Sequence, residues 1–392
     1  MNDIFLKPSG VKDFLPSTVR KKRIVEKQFN EVFRKWGYEE VITPSFENLK
    51  TFVLDEQANS DNIFKFFDRN GKVMALRPDV TKSIARMAAT YYSDNSMPLR
   101  FCYISNVFRF QEPRMGHDQE FFQVGAELIG IDGIEGDVEA ILLASNLLKK
   151  VGIDDFIINI GHIRFLEGLL DDLELNLDIR QKVIQTIWEK NFVLLEELLK
   201  GIDTSKNKIK EILLSLNKFY GGIQMLHELM KFPLNDKAKG SLTQIIELAE
   251  MIKACSNVTL TFDPGLIKSQ DYYTGINFEI YSPKAGFPLG SGGRYDNLLN
   301  KFDGSRPATG FALVEEALLS LLERSIVDSY EPCYVLYDKQ SFIQAFKKAE
   351  ELKNQDKIVK LTPFKREFLD KIKSRDKKCN ICIFCNGKLL EK

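Results

Sequence analysis

Hydrophobic residues near the start of the chain recur at the spacing of an amphipathic helix. They are Val19, Ile24, Val25, Phe29, Val32, Phe33 and Trp36. The pattern predicts a helix of about five turns that ends at Gly37. A short apolar strand, Glu40–Thr43, is predicted next, since Pro44 follows it directly.

The following part of the chain consists of strand-like runs separated by turn residues. The runs are Ile63–Phe67, Lys72–Leu76, Arg100–Phe110 and Glu120–Ile129. Asn70-Gly71 and Met115-Gly116 are typical turn sequences between them. This arrangement predicts a largely antiparallel sheet with few covering helices.

From about Arg164 to Cys255 the apolar residues change to helical spacing, as in the leucine-rich run 193–199. Strands are predicted to resume at Val258–Phe262 and Gly275–Tyr281, and a final helix at Leu313–Glu323. We therefore expect one domain over residues 1–325, with a helical insertion at about 164–256.

The end of the chain alternates strands and helices. Strands are predicted at Cys333–Tyr337, Ile358–Leu361 and Asn380–Phe384, and helices at Ser341–Lys353 and Lys365–Ser374. This alternation predicts a small α/β domain of about three strands over residues 330–392. The fold class of the whole chain is therefore expected to be α+β.

Composition narrows the possible classes of protein. The 392 residues include 55 Lys plus Arg and 55 Asp plus Glu, so the formal net charge is zero. A dedicated nucleic-acid binder usually has a basic surplus, which weakens a tRNA-binding hypothesis. The sequence predicts neither a signal peptide nor a membrane-spanning run, and its six cysteines do not indicate a disulfide framework. We expect a cytoplasmic protein.

Three cysteines near the end of the chain, Cys379, Cys382 and Cys385, have a spacing that iron–sulfur or zinc ligands can show. They lie in a strand-like run without an evident fourth ligand, so we interpret them as core or surface residues. The three histidines share no metal-ligand spacing. We predict no metal site and no cofactor.

Short motifs occur in order along the first domain. They are Leu-Arg-Pro-Asp-Val-Thr at 76–81, Phe-Arg-Phe-Gln-Glu-Pro at 108–113 with Glu-Phe-Phe-Gln at 120–123, Asp-Tyr-Tyr-Thr-Gly at 271–275, Gly-Gly-Arg-Tyr-Asp at 292–296 and Gly-Phe-Ala-Leu at 310–313. In this order and spacing they resemble the conserved segments of histidyl-tRNA synthetases, which are class II aminoacyl-tRNA synthetases. The resemblance covers most of the chain. It implies a class II synthetase-like antiparallel sheet flanked by helices, and a C-terminal domain truncated relative to an anticodon-binding domain.

The resemblance also implies an intact histidine-binding site. Asp79, Thr81 and Gln123 match positions that accept the ammonium group, whereas Glu127 and Tyr273 match positions that hold the imidazole nitrogens. The full set implied for histidine binding is Asp79, Thr81, Arg109, Gln123, Glu127, Lys268, Tyr272 and Tyr273. The family usually has Glu at the position of Asp79, so we expect a looser contact there.

Structural explanations stay open for several of these residues. Asp79 precedes a predicted helix and is a suitable N-cap for it. Glu127 lies in an apolar run, where a carboxylate needs a partner, and we expect a ligand or a structural cation to be that partner. Tyr272 and Tyr273 would alternate on a strand, which predicts that one of them belongs to the core.

The nucleotide-binding residues of the family are incomplete in this sequence. Arg109 matches the motif 2 arginine, but Val314 and Ala317 stand where motif 3 has its glycine and arginine. Further departures are Gln111, Glu112, Gln119 and Lys268. Adenylation depends on cations around the phosphates of ATP, so we expect no adenylation and no catalytic residue.

With a histidine site beside an incomplete nucleotide site, the chain resembles the regulatory subunits of ATP phosphoribosyltransferase, which are synthetase paralogues. The resemblance implies a non-catalytic subunit in the first step of histidine biosynthesis. Its partner would be the short-form catalytic subunit, in a hetero-octamer with four copies of each, and its effector would be L-histidine. It also implies self-dimerisation through the motif 1 region, near Gly37 and Pro44. Membranes and tRNA are not expected partners.

Three other functions remain open from the sequence. These functions are an active histidyl-tRNA synthetase, an orphan histidine- or tRNA-binding paralogue, and an enzyme that adenylates another small acid. The missing phosphate-binding cations count against both enzymes. The neutral charge and the short C-terminal domain count against tRNA binding.

Overall fold

A computed structural model describes residues 6–54, 60–93, 96–110, 118–200, 207–266, 272–302, 304–322, 332–375, 380–386 and 388–391. The chain divides into two compact units, Met1–Glu323 and Arg324–Lys392. Among the described residues, we find no helix that combines the length and the apolar character needed to cross a bilayer.

Most of the described first unit consists of regular elements. The helices are α1 (Pro16–Lys35), α2 (Leu49–Phe52), α3 (Thr81–Tyr91), α4 (Ile134–Lys150), α5 (Ile163–Asp171), α6 (Leu177–Trp188), α7 (Phe192–Leu199), α8 (Asn207–Leu214), α9 (Ile223–Leu229), α10 (Asp236–Cys255) and α11 (Glu315–Leu321), with 3-10 helices at Leu216–Lys218 and Leu299–Phe302. The strands are β1 (Glu39–Glu40), β2 (Phe46–Asn48), β3 (Lys65–Phe67), β4 (Val73–Leu76), β5 (Leu99–Phe108), β6 (Glu120–Ile129), β7 (Ile157–His162), β8 (Leu260–Phe262), β9 (Ile276–Tyr281), β10 (Gly290–Arg294) and β11 (Ala308–Val314).

Helix α1 begins at Pro16 and ends where the sequence predicts. Pro16 occupies the first helical turn, where its fixed φ angle suits the helix. Gly37 has a φ of 76°, and Tyr38 N donates to Phe33 O at 3.0 Å, which closes the last turn. The buried face of the helix includes Val25, Phe29 and Phe33. The predicted helix and its end at Gly37 are confirmed.

The central sheet has the strand order β1-β5-β6-β11-β10-β9-β7-β8 within the described residues. All neighbouring pairs are antiparallel except β1–β5 and β7–β8, which are parallel. The largely antiparallel sheet expected from the sequence is therefore confirmed. A separate small sheet has the order β2-β4-β3.

Helices pack against this sheet. One core cluster joins α3 to β5, β6 and the 3-10 helix at 299–302, and includes Ile84, Phe101, Val107 and Leu298. Helix α4 contacts β6, β10 and β11, and α1 contacts α4 in turn. The helical periodicity predicted from Arg164 to Cys255 is confirmed by α5 to α10, and α10 packs against α5 and α4.

The structure differs from the predicted elements in three places. The predicted helix at Leu313–Glu323 begins only at Glu315, because Leu313 pairs with Val124 of β6 and Gly290 of β10 as part of β11. Strand β7 was not predicted from the sequence. Tyr272 and Tyr273 do not lie on a strand, since β9 begins at Ile276.

The second unit is a small α/β sheet. Its elements are β12 (Cys333–Tyr337), α12 (Phe342–Lys353), β13 (Val359–Pro363), α13 (Arg366–Arg375), β14 (Ile381–Cys385) and β15 (Lys388–Glu391), with a 3-10 helix at Lys339–Ser341. The strand order is β13-β12-β14-β15, and β15 pairs antiparallel with β14. The prediction of about three strands missed β15, which follows Asn386-Gly387, a common hairpin sequence.

Two of the three cysteines with the metal-ligand spacing lie in and beside the core of the second unit. Cys382 is buried and Cys385 is half-buried, in agreement with the structural interpretation of these two residues. Cys379 lies outside the described residues. Within the part of the chain that the structure describes, no group of His, Cys, Asp and Glu side chains is arranged to hold a metal ion.

Candidate functional site

The candidate histidine site is built around Glu127, near the end of strand β6. Its side chain is 1% exposed. Thr81 at the start of α3 donates its hydroxyl to Glu127 Oε1 at 2.7 Å, and the hydroxyl of Tyr295 donates to Oε2. The expectation that this carboxylate needs a ligand or cation as its partner is therefore wrong, because hydroxyl groups of the protein bond both of its oxygens.

The surroundings of Glu127 favour its neutral form. Burial raises the pKa of its carboxyl group to about 8, although the hydroxyls of Tyr295 and Thr81 counteract part of this rise by hydrogen bonding. The negative charge of Asp79 adds to the rise. The Glu127 carboxyl group therefore favours its protonated form in these surroundings, whereas a positively charged donor bound beside it would lower the pKa and favour the carboxylate.

Two glycines leave the space that this site requires. Gly310 on β11 pairs directly with Glu127, and a Cβ atom at Gly310 would overlap Glu127 Oε2. A Cβ atom at Gly293 would lie 2.9 Å from Cδ1 of Tyr273 and 2.7 Å from Ile276 O. Both contacts are closer than packed atoms tolerate, so steric overlap explains why glycine occupies these two motif positions.

Three tyrosine rings form one wall of the site. The ring centroids of Tyr272 and Tyr273 are 5.0 Å apart, and Tyr272 meets Tyr295 edge to face at 5.7 Å. Burial raises the pKa of all three hydroxyls, so they are neutral donors and acceptors. Tyr295 was overlooked as a site residue, although the motif Gly-Gly-Arg-Tyr-Asp contains it.

Asp79 has a structural contact at the start of α3. Its Oδ1 accepts a hydrogen bond from the backbone N–H of Lys82 at 3.1 Å, in the first turn of α3, although Val80 and not Asp79 is the N-cap residue. Thr81, two residues on, is buried and faces Glu127. The start of α3 therefore brings both predicted residues to the same end of β6.

Gln123 lies on the same face of β6 as Glu127, because the two residues are separated by an even number of positions. Gln123 is 5% exposed, and its Oε1 has no hydrogen-bond partner among the described residues. A buried acceptor without a partner is costly, which makes this atom a candidate for a ligand donor. Arg109 donates through Nε to Pro78 O at 2.9 Å and packs over Phe121.

The structure thus brings together most of the residues predicted for histidine. Asp79, Thr81, Gln123, Glu127 and the two tyrosines surround the end of β6 and the start of α3. Lys268 lies outside the described residues, as do the predicted nucleotide-site departures Gln111 and Glu112.

Arg294 of the Gly-Gly-Arg motif has a structural role. Its Nε donates to Asp137 Oδ2 at 2.9 Å, and its terminal nitrogens donate to Ile131 O at 3.0 Å and Gly133 O at 2.7 Å. These bonds connect β10 to the loop before α4. The guanidinium group is therefore occupied within the protein.

Carboxylates stand beside Ala317, the position where the resemblance predicts a motif 3 cation. Both oxygens of Glu316 accept from the backbone N–H of Phe122 at 3.0 Å, and Ala317 is buried. Burial raises the pKa of Glu315 to about 7 against the effect of its ion pair with Lys22. Lys22 also pairs with Glu26 at 2.9 Å.

The ammonium group of Lys22 also lies over the ring of Phe122. Lys22 Nζ lies 3.6 Å from the centre of the Phe122 ring, and the Phe14 ring meets it edge to face at 5.9 Å. Lys22 is 4% exposed and Glu315 is 1% exposed, so this cluster is internal. Lys22 is already paired with two carboxylates, and Arg23 pairs with Glu26 at 2.7 Å, so neither cation is suited to binding a triphosphate.

Comparisons with known proteins agree with this geometry. The family model described as histidyl-tRNA synthetase matches residues 10–318. The ATP phosphoribosyltransferase regulatory subunit of Thermoanaerobacter sp. (strain X514) is 35% identical over 367 residues, which cover 92% of this chain and 94% of the relative. The chain belongs to the ATP phosphoribosyltransferase regulatory subunit family. The family member from Moorella thermoacetica is 36% identical over 356 residues, which cover 90% and 91% of the two chains.

Solved structures place the family among class II synthetase-like folds. A crystal structure from Bacillus halodurans C, described as an ATP phosphoribosyltransferase regulatory subunit/histidyl-tRNA synthetase, has a TM-score of 0.85 and 31% identity, with 97% and 99% of the two chains covered. Histidyl-tRNA synthetase from Nostoc sp. PCC 7120 has a TM-score of 0.71 at 21% identity, covers 97% and 91%, and shows the fold alone. The fold class expected from the sequence is confirmed.

Proposed function

We propose that this chain is a non-catalytic regulatory subunit of ATP phosphoribosyltransferase, in the first step of histidine biosynthesis. It assembles in the cytoplasm with a short-form catalytic subunit, supports its activity and makes it sensitive to histidine. The observation that carries the proposal is a contrast along β6. Glu127 is a buried carboxyl group among hydroxyl donors that match the histidine positions of the family, whereas Phe122 is bonded to Glu316 where a nucleotide site needs a cation.

Histidine matches the chemistry around Glu127. An imidazole N–H donates to the Glu127 carboxylate, and the Tyr273 hydroxyl serves the other nitrogen. The ammonium group is held by Gln123 Oε1, which has no partner in the described structure, and by Asp79. Arg109, Tyr272 and Lys268 complete the proposed set. Binding that prefers one state of the assembly transmits inhibition by linkage.

An exposed apolar surface supports self-dimerisation near α1 and β1. Ile42 is 85% exposed and Phe46 is 52% exposed, and the Phe46 ring meets that of Phe66, which is 38% exposed, at 5.6 Å. Exposed apolar residues grouped in this way are typical of protein–protein contacts. We propose that this surface forms the dimer, and that two dimers join four catalytic subunits in a hetero-octamer. Light scattering of the Ile42→Glu variant should then show monomers.

The alternative function is an active histidyl-tRNA synthetase, since the matching family model carries that description. It requires cations at the phosphates of ATP, whereas Glu315 and Glu316 occupy the motif 3 region. An ATP–pyrophosphate exchange assay with histidine separates the two functions. Exchange above background would favour the synthetase, and a filter-binding assay with tRNA tests an orphan tRNA-binding role.

The deciding experiment measures ATP phosphoribosyltransferase turnover by the short catalytic subunit from the same organism. Turnover should rise when this protein is added and fall across a histidine titration. The Glu127→Gln variant should still raise turnover but should need about 10- to 100-fold more histidine for inhibition, as expected for the loss of one charge-assisted hydrogen bond.

A matched control is Glu247→Gln, which changes an exposed glutamate on α10. This variant should behave as the unmodified protein in both activation and inhibition. If added protein leaves turnover unchanged, the regulatory proposal fails. If turnover rises but Glu127→Gln is inhibited normally, the regulatory role stands and the histidine site lies elsewhere.

A further inference from the structure

Arg77 lies in the short connection between β4 and α3. It directly follows β4, and the same connection leads to Thr81, the residue that donates to Glu127. Arg77 is 3% exposed. A buried guanidinium group must place its donors within the protein, so its partners show which parts of the fold it holds together.

The guanidinium group of Arg77 joins two parts of the backbone. Nη1 donates to Thr43 O at 2.7 Å and to Pro44 O at 3.3 Å. On its other side, Nε donates to Asn106 O at 2.7 Å and Nη2 donates to Asn106 Oδ1 at 2.9 Å. Because the group is planar and its donors have a fixed geometry, a displacement of Arg77 acts on the Thr43 and Pro44 carbonyls directly.

The backbone that Arg77 holds belongs to the proposed dimer surface. The backbone N–H of Arg77 donates to Ser45 O at 3.0 Å, so three consecutive carbonyl groups, those of residues 43–45, accept from this one residue. They connect Ile42, which is 85% exposed, to Phe46, which is 52% exposed. Arg77 therefore determines how these two apolar side chains are presented.

The other end of the connection belongs to the candidate histidine site. Pro78 O accepts from Arg109 Nε at 2.9 Å, and Asp79 Oδ1 accepts from the backbone N–H of Lys82 at 3.1 Å. Proline fixes its own φ angle and restricts the residue before it to extended backbone, which makes the chain stiff at this point. A ligand that fixes the start of α3 therefore acts on Arg77 as well.

We propose that Arg77 is a positioning residue that couples histidine binding to dimerisation. Histidine held at the start of α3 fixes Arg77 and thereby orders the carbonyl groups of residues 43–45. A surface that is already ordered loses less conformational entropy on association, so histidine strengthens the dimer. Linkage requires the reverse effect by the same factor, so the dimer binds histidine more tightly than the monomer. This inference rests on the proposed histidine site and dimer surface.

The first test is analytical ultracentrifugation of the full chain over a concentration series, with and without histidine. Histidine should lower the dissociation constant of the dimer at least about fivefold. In calorimetry at concentrations where the unmodified protein is dimeric, the Ile42→Glu variant should bind histidine weaker by the same factor. The control is Val193→Glu on α7, where the original side chain is 76% exposed, and it should leave both constants unchanged.

The second test changes the coupling residue itself. In Arg77→Lys the charge stays, but an ammonium group cannot serve both Thr43 and Asn106 with the planar geometry of arginine. This variant should still dimerise and bind histidine, while histidine changes its dimer dissociation constant by less than about twofold. The control is Arg100→Lys, which changes an arginine bound to Glu139 and should keep the full effect of histidine.

Two results would overturn the coupling alone. One is a dimer dissociation constant that histidine leaves unchanged in the unmodified protein, and this measurement decides even if Arg77→Lys does not fold. The other is an undiminished effect of histidine in Arg77→Lys. An unmodified protein that stays monomeric or does not bind histidine contradicts the proposed dimer or histidine site together with the coupling, so the two failures are distinguishable.

Discussion

Gly310 on β11 leaves the space that the carboxyl group of Glu127 occupies on the neighbouring strand β6. The two residues are paired in the register of the sheet, and a Cβ atom at 310 would overlap Glu127 Oε2 and lie 2.5 Å from Ala126 O. Backbone atoms in the centre of a sheet move little, so the side chain of Glu127 would have to leave its position. Gly310 is thus part of the proposed histidine site.

The Gly310→Ala variant should lose both stability and histidine binding. Overpacking of this kind lowers the free energy of unfolding by about 1–3 kcal/mol, and the displaced carboxyl group should weaken histidine binding at least tenfold. Urea denaturation and calorimetric titration measure the two effects.

The control for this variant is Gly240→Ala on α10, where no atom lies within 4 Å of the new Cβ. Alanine should stabilise this helix position by about 0.5–1 kcal/mol, with unchanged histidine affinity. Normal histidine binding by Gly310→Ala would show that the ligand does not use Glu127 in its present position.

The pH dependence of stability should report the protonation of Glu127. Its pKa of about 8 in the folded protein lies above the usual value of 4.5, so the folded state binds more protons than the unfolded state between these values. The free energy of unfolding therefore falls as the pH rises from about 5 to about 8.

In the Glu127→Gln variant this contribution is absent. Between pH 5.5 and pH 8 the free energy of unfolding should fall for both proteins, but the decrease should be smaller for the variant. The two decreases should differ by more than about 1 kcal/mol, since one pKa unit corresponds to 1.36 kcal/mol. Urea denaturation at both pH values gives the comparison. Glu247→Gln, on the exposed face of α10, should keep the original pH dependence, and identical slopes for all three proteins would contradict the assignment.

The sequence predicts the elements and much of the candidate site for identifiable reasons. The α1 helix follows from local periodicity and from Gly37, whose left-handed conformation ends it. The site residues were found because they lie in ordered motifs. The position of Leu313 in a strand was missed, because its pairing with Val124 depends on residues far away in the chain.

The partners of the buried charges also escape sequence reasoning. Tyr295 reaches Glu127 across 168 positions, and Lys22 reaches Glu315 across 293. Nothing in the local pattern around any of these residues indicates such a contact. The sequence therefore shows that the motif 3 arginine is missing, but only the structure shows that Lys22 and Glu315 form an ion pair there.

Removal of Lys22 should destabilise the first unit strongly. The Lys22→Met variant leaves the buried carboxyl group of Glu315 without its cation, which should lower the free energy of unfolding by about 3–5 kcal/mol, whereas Glu26 keeps its ion pair with Arg23. The double variant Lys22→Met/Glu315→Gln should recover part of the loss, because it removes the unpaired acid.

An exposed ion pair provides the comparison. Lys231→Met breaks a contact with Glu228 on the surface of the same unit, and should change the free energy of unfolding by less than about 1 kcal/mol. Chemical denaturation of the four proteins completes the test. A loss for Lys22→Met no larger than that for Lys231→Met would mean that the buried cluster is not a stabilising ion pair.

Substitution of Gln123 should raise the stability of the protein and weaken histidine binding. Its Oε1 is buried without a partner in the described structure, so the Gln123→Met variant removes an unsatisfied acceptor at similar volume. The free energy of unfolding should rise by about 1 kcal/mol, while histidine affinity falls about tenfold because the ammonium group loses an acceptor.

A different result is expected at Gln244, whose Oε1 lies 2.8 Å from His162 Nε2. Gln244→Met breaks this hydrogen bond within the protein, so the free energy of unfolding should fall by about 1 kcal/mol and histidine affinity should not change. Denaturation and calorimetric titration of both variants decide the matter. If Gln123→Met is destabilised to the same extent as Gln244→Met and binds histidine normally, then Gln123 supports the fold and does not hold the ligand.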